Sequence, residues 1–204
     1  GAAARALVMV GIGKYADDLV RLAQRGGTVT QANASAALAV HLSADRLSTM
    51  EPLLFHKNPV VRANAVFALG RLRSEVSRER LTKLLVDDDS SLVRIASARA
   101  LSRIGGAKKP LARAADSDPL ELVRDAAKRA LEVEFSPSPA NEWRSFYFVD
   151  PALGYSPVSN EPYIVVGSDG VGLGIYSDAR GEALIEHFSP GEHRVVCADR
   201  LNEL

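Results

Sequence analysis

Apolar and small residues fall at helical spacing along the first two thirds of the chain, and the pattern repeats. In residues 58–69, NPVVRANAVFAL, a turn-forming start leads into Val61-Arg62 and then a run of small residues closing on Ala68-Leu69. The same design returns in 89–101, DSSLVRIASARAL, and in 118–131, DPLELVRDAAKRAL, with Val93-Arg94 and Val123-Arg124 in the matching slot. Fainter copies put Ala37-Leu38 and Ala6-Leu7 in the Ala-Leu position. Leu7, Leu38, Leu69, Leu101 and Leu131 stand 31, 31, 32 and 30 residues apart. A period of this length marks a stack of helical hairpins, none of which can bury its apolar face alone.

Between these inner helices the chain predicts outer ones. Residues 2–11 read as the second helix of a partial unit. A helix around Tyr15–Gln24 is stopped by Gly26-Gly27, and Thr28–Leu42 forms the next. Ser43 is placed to cap a helix running through Phe55, which Lys57-Asn58-Pro59 ends. Inner helix Val60–Leu72 precedes outer helix Ser74–Val86, and Leu92–Ile104 is stopped by Gly105-Gly106. A short outer helix around Leu111–Ala115 and a turn at 116–119 lead into Leu120–Phe135. Helices of this length are marginal in isolation, so the expected body is an α-solenoid over residues 1–135, about four and a half units. The slot equivalent to Arg62 and Gln31 falls before Gly1, which predicts that the first unit is incomplete and preceded by further chain.

At 136–141, SPSPAN, two prolines disfavour helix in the residues before them, and the segment reads as a short, stiff linker. Beyond it the pattern alternates. Eight of the twelve aromatic residues lie past Asn141, and strands are expected at 143–149, 163–167, 171–176, 183–188 and 194–198. Ser168-Asp169-Gly170 is a hairpin turn between two of them. Five short strands in 142–204 predict a small antiparallel β-sandwich.

The repeated inner helix, Val-Arg followed by small residues and Ala-Leu, resembles HEAT repeats. The short period is similar to the phycobilisome-lyase type of that family. The resemblance implies that Arg62, Arg94 and Arg124 form a ladder, each reaching the acidic turn of its own or the next unit, with Asp89, Asp116 and Asp118 as acceptors. In the second part, Ser177-Asp178 with Gly181, Pro190-Gly191 and 193–197 resemble the transthyretin-like fold of carboxypeptidase regulatory-like domains. Phe148-Val149-Asp150, Gly154 and Pro157-Val158 fit that family's opening strand and turn.

Charge adds a polarity that the zero net total hides. Residues 1–135 carry 21 Lys/Arg against 15 Asp/Glu, and residues 136–204 carry 4 against 10. On the inner helices Arg99 and Arg129 share one slot, and Arg71 and Arg103 share another a turn later. With Lys128 they define a basic stripe, the candidate partner-binding surface, opposed to the simpler reading of a solvated face with snorkelling stems. The stripe fits an acidic protein, and nucleic acid as the alternative. The acidic second part is itself a ligand for the solenoid, expected to dock on the last units.

Chemistry is harder to place. One cysteine, Cys197, gives neither an internal disulfide nor a zinc set; it fits the reducing cytoplasm, with an extracytoplasmic location as the alternative, since single thiols and transthyretin-like modules occur there too. His187, His193 and Cys197 match no metal spacing and read as a solvated pair with a core thiol, while Asp169 and Asp178 read as turn formers. No phosphate loop, nucleophile elbow or zinc-protease helix is present in the sequence, and the apolar runs fall short of a membrane span. The solenoid lacks the aromatic groove that base excision needs. The expectation is a non-catalytic scaffold or adaptor without a cofactor, in a bacterial style of repeat. The alternatives are a nucleic-acid-associated solenoid and an accessory or lyase-like subunit of an enzyme.

Overall fold

The computed structural model describes residues 15–132 and, beyond them, the backbone of short strands between residues 142 and 197. Four units follow one another in 15–132. Helix α1 (Ala16–Arg25) precedes α2 (Thr28–His41), and two 3₁₀ turns (Ala44–Thr49 and Glu51–Phe55) precede α3 (Pro59–Arg71). Then α4 (Arg78–Asp87) pairs with α5 (Ser91–Ile104), and α6 (Lys108–Ser117) with α7 (Glu121–Glu132). The inner helices α2, α3, α5 and α7 stack in sequence, each also packed on the outer element of its own unit.

Burial follows from that stacking. Nine residues of α3 are buried, from Val60 to Gly70, because it is covered by neighbours on both sides and by its own outer element. Helix α5 buries eight, whereas α7 buries Val123, Ala126 and Ala127. Leu38, Leu69 and Leu101, the Ala-Leu leucines, are fully buried, and Leu131 is 38% exposed. Leu7 lies outside the described residues, as do the helix expected over 2–11, the end of the last helix at Phe135 and the 136–141 linker.

Small residues set how closely the inner helices approach. A Cβ built on Gly70 would stand 2.7 Å from both Cα and Cβ of Ala100, so α3 and α5 touch at backbone distance there. Between α2 and α3 the contact is polar. Asn64 Nδ2 donates to Ser35 Oγ at 3.0 Å and to the Ala32 carbonyl at 3.3 Å, with Asn64 and Ser35 both buried.

The helix ends obey local chemistry. Asn58 Oδ1 accepts from the Val60 amide at 2.9 Å and Pro59 occupies the first helical position of α3, where its missing N–H costs nothing. Helix α3 closes with the Ser74 amide on the Leu69 carbonyl and the Arg73 amide on the Gly70 carbonyl, a Schellman end. Arg73 therefore sits at φ 51°, the left-handed position that glycine usually fills. Helix α5 ends at Gly105 and Gly106, with φ of 79° and 76°.

One expected helix differs. Ser43–Phe55 is two 3₁₀ turns meeting at Met50, and no side chain caps the first. Pro52 explains the break, since it has no N–H to donate and its ring would strike the carbonyl four residues back in a continuous α-helix. The turns still serve as an outer element, with Met50, Leu53 and Leu54 buried against the core.

The strands are β1 (Glu142–Tyr147), β2 (Val149–Asp150), β3 (Ser156–Pro157), β4 (Pro162–Val166), β5 (Gly172–Tyr176), β6 (Glu182–Phe188) and β7 (Arg194–Cys197). All pairings are antiparallel: β1 with β6, β2 with β3, and β4 between β5 and β7. The turn at 168–170 and the motif residues Gly154, Gly181, Pro190, Gly191 and His193 lie outside the described residues. Docking of this part was expected on the last units. Among the described strands, β5 has its backbone beside α2 and α3.

Candidate protein-interaction surface

The regular arginines join one unit to the next. Arg62 lies in the second turn of α3, which aims its guanidinium at the turn preceding α5. Its Nε and Nη2 donate to the two oxygens of Asp88 at 2.9 and 2.8 Å, and Nη2 also reaches Asp89 at 2.7 Å. The opposite nitrogen, Nη1, donates to the carbonyls of His56 and Lys57 in the turn of its own unit. Arg94 repeats this a unit later, with Nε and Nη2 on Asp118 at 2.9 and 3.2 Å and Nη1 on the Asp88 and Asp89 carbonyls. The pairs are nearly dry: Arg62 and Asp88 side chains are 11% and 5% exposed, Arg94 and Asp118 12% and 6%. Such two-pronged, desolvated contacts fix register as well as energy.

Each turn carboxylate has a second task. Asp88 Oδ1 accepts from the Ser90 amide and Asp118 Oδ1 from the Leu120 amide, both at 2.9 Å, so the same group starts its own helix and clasps the preceding unit. Asn58, Asp88 and Asp118 recur at intervals of 30. That recurrence identifies Asp88 as the two-pronged acceptor beside the expected Asp89. Asp89 contributes its carbonyl to Arg94 and one exposed oxygen to Arg62, and Asp116 is exposed. At the α2–α3 junction the corresponding residues are neutral: Gln31 takes the arginine slot, donating to the Gln24 carbonyl at 3.3 Å, opposite Asn58.

Arg124 completes the series on α7. Its Nη1 donates to the Asp118 and Pro119 carbonyls at 2.7 and 3.1 Å, as its counterparts do to their own turns. Its Nε–Nη2 edge meets no carboxylate among the described residues.

The basic stripe divides on inspection. Arg71 is not a free surface cation. Its Nε donates to the Ala39 carbonyl at 3.0 Å and its Nη2 to the Leu42 carbonyl, which closes the C-terminal end of α2 from the next unit. Those carbonyls are orphaned by the end of the helix, and a cation is favoured there. Burial pushes its guanidinium pKa down from the ordinary value. Arg103, in the equivalent slot, stands with its guanidinium carbon 5.8 Å from the centre of the Phe67 ring, a cation–π contact across α3 and α5. Arg99 is half-buried, while Lys128 and Arg129 are exposed on α7, Lys128 beside Asp125 at 3.8 Å. Arg71 thus belongs to the scaffold, while Arg99 and Arg103 lie on α5 and Lys128 and Arg129 on α7.

A second, wetter ladder runs over the outer elements. Arg46 meets Asp17 at 2.8 Å and Arg80 meets Glu51 at 2.6 Å, both pairs 29 residues apart. Exposed pairs of this kind contribute little to stability. Among the described residues there is no group of three His, Cys, Asp or Glu able to hold a metal ion, and no helix long and apolar enough to cross a membrane.

Comparison with known families places this geometry. Residues 47–132 match the family model of HEAT repeats, which covers the 3₁₀ pair through α7, the stretch that carries the arginine ladder. No curated protein and no solved structure matches the chain.

Proposed function

We propose that this protein is a non-catalytic interaction scaffold, which binds an acidic protein partner along Arg99, Arg103, Lys128 and Arg129. The observation that carries this reading is the HEAT-like array itself, whose two last inner helices gather the cations Arg99, Arg103, Lys128 and Arg129. HEAT repeats are generally protein-interaction scaffolds, and stacked units offer an extended surface rather than a closed pocket. In this reading the repeats are of the short, phycobilisome-lyase-like type. The chain divides at 136–141 into the solenoid and a transthyretin-like β-sandwich over 142–204, whose excess of acidic residues complements the solenoid. A bacterial adaptor of the reducing cytoplasm fits the single thiol.

Affinity capture with the full chain at two salt concentrations, with mass spectrometry and nucleic-acid staining of the eluate, tests the reading. Captured proteins should be lost as salt rises, and Arg99→Glu with Arg103→Glu should weaken capture and flatten its salt dependence. Capture that survives the double reversal unchanged puts the partner elsewhere. An eluate dominated by nucleic acid replaces the protein partner with the alternative one.

A further inference from the structure

We infer that the open end of the arginine ladder on α7 is a second docking site, for a protein segment that opens a helix with an aspartate turn. The inference rests on the scaffold reading and shares only Lys128 with its stripe. Arg62 and Arg94 hold the aspartate turn of the following unit on their Nε–Nη2 edges. Arg124 is pinned by the same two backbone carbonyls, so its guanidinium is already oriented, and that edge is unfilled among the described residues. One and two turns further along α7 stand Lys128, 57% exposed, and Leu131, 38% exposed where Leu69 and Leu101 are fully buried. A guanidinium edge, an ammonium and a leucine on one helical stripe fit a carboxylate followed by an apolar helix face.

Two other occupants fit less well. A second copy stacked by its α1–α2 end offers Arg25-Gly26-Gly27 before α2, a turn without a carboxylate. Among the described residues, the chain's own later part meets the helices most through β5, at α2 and α3. The occupant we commit to is a separate polypeptide, recognised by its acidic turn and helix as Arg62 and Arg94 recognise theirs.

The probe is a fluorescently labelled peptide copying residues 88–104, DDSSLVRIASARALSRI, the segment that sits on Arg62 within the protein. Its anisotropy is followed as the intact chain is titrated in. Saturable binding is expected, weakened at least about tenfold by Arg124→Ala and by a peptide carrying Asn in place of both aspartates. Arg124→Lys, which keeps the charge and loses the fork, should fall between. It also serves as the reporter if the alanine variant fails to fold. Arg99→Glu with Arg103→Glu should leave peptide binding intact, which separates this site from the stripe. Unchanged binding by the Arg124 variants, or none by the intact chain at millimolar concentration, overturns the inference and makes α7 a solvated cap. Tighter binding by Asp150→Asn, at the 26-residue separation that joins Arg62 to Asp88, assigns the edge to the chain's own carboxylate and overturns the outside occupant.

Discussion

Replacing Gly70 by alanine sets two known effects against each other. In an exposed helix the change is favourable by about 1 kcal/mol, since glycine has the larger backbone entropy to lose. Here the added methyl would lie 2.7 Å from Ala100 Cα as well as from its Cβ. Because a main-chain atom is struck, no rotamer change relieves the contact, and α3 and α5 must separate by most of an ångström. Overpacking of this kind costs about 1–3 kcal/mol, and a displaced helix pair belongs at the upper end. The net expectation for Gly70→Ala is a loss of about 2 kcal/mol. Urea unfolding followed by circular dichroism reads it as a lower midpoint at unchanged slope. Adding Ala100→Gly removes one of the two contacts and leaves the other, so the double variant should recover part of the loss and show coupling between the sites. A Gly70→Ala protein as stable as the parent, or more so, would refute the close approach, because helix propensity alone would then account for the outcome.

Two further perturbations test the joints between units. Arg94→Ala leaves the buried Asp118 with only the Leu120 amide, and should cost about 3 kcal/mol, little altered by salt. The exposed Arg113→Ala should change the unfolding midpoint by less than about 0.5 kcal/mol, and equal midpoints for the two variants would remove the ladder from the account of stability. Arg73→Gly relieves the left-handed strain at the end of α3 and should raise the thermal midpoint, by the equivalent of about 1 kcal/mol. A drop there would show that the Arg73 side chain contributes more than its backbone costs.

What the sequence could reveal of this protein follows from which interactions leave a periodic trace. The inner helices were readable because each must place apolar residues on two faces, and Leu38, Leu69 and Leu101 recur where that burial is complete. The arginine slot was readable for the same reason, and Asp89 and Asp118 do accept from it, but Asp88, which takes the two-pronged contact with Arg62, was not singled out. Three consecutive aspartates look alike in sequence, and only the Asx turn, with its 30-residue recurrence, singles out Asp88. Arg71 was placed among the partner-binding cations because its acceptors are main-chain carbonyls, which every residue carries and no sequence pattern marks. The break at Met50 was announced by Pro52 and overlooked beneath the stronger apolar spacing of Leu47, Leu53 and Leu54. Arg78, which no repeat marks, lies over the glycine turn after α5, its Nε 3.0 Å from a Cβ built on Gly106.

The neutral pair at the α2–α3 junction has a consequence for how the array comes apart. Where an aspartate both starts a helix and clasps the unit before it, fraying that helix start also releases the neighbouring unit, so the two events share one free energy. Asn58 starts α3 but is joined to Gln31 by no charged clasp, and its own Nδ2 is buried without a hydrogen-bond partner. The outer element at that junction is a pair of 3₁₀ turns rather than an α-helix. In a one-dimensional stack the weakest nearest-neighbour term sets where a cooperative block ends. Units 3 and 4, together with α3, therefore form one exchange-protected block. The α1–α2 hairpin opens as a separate one, and its amide protons exchange with solvent while those of α3 and α5 are still held.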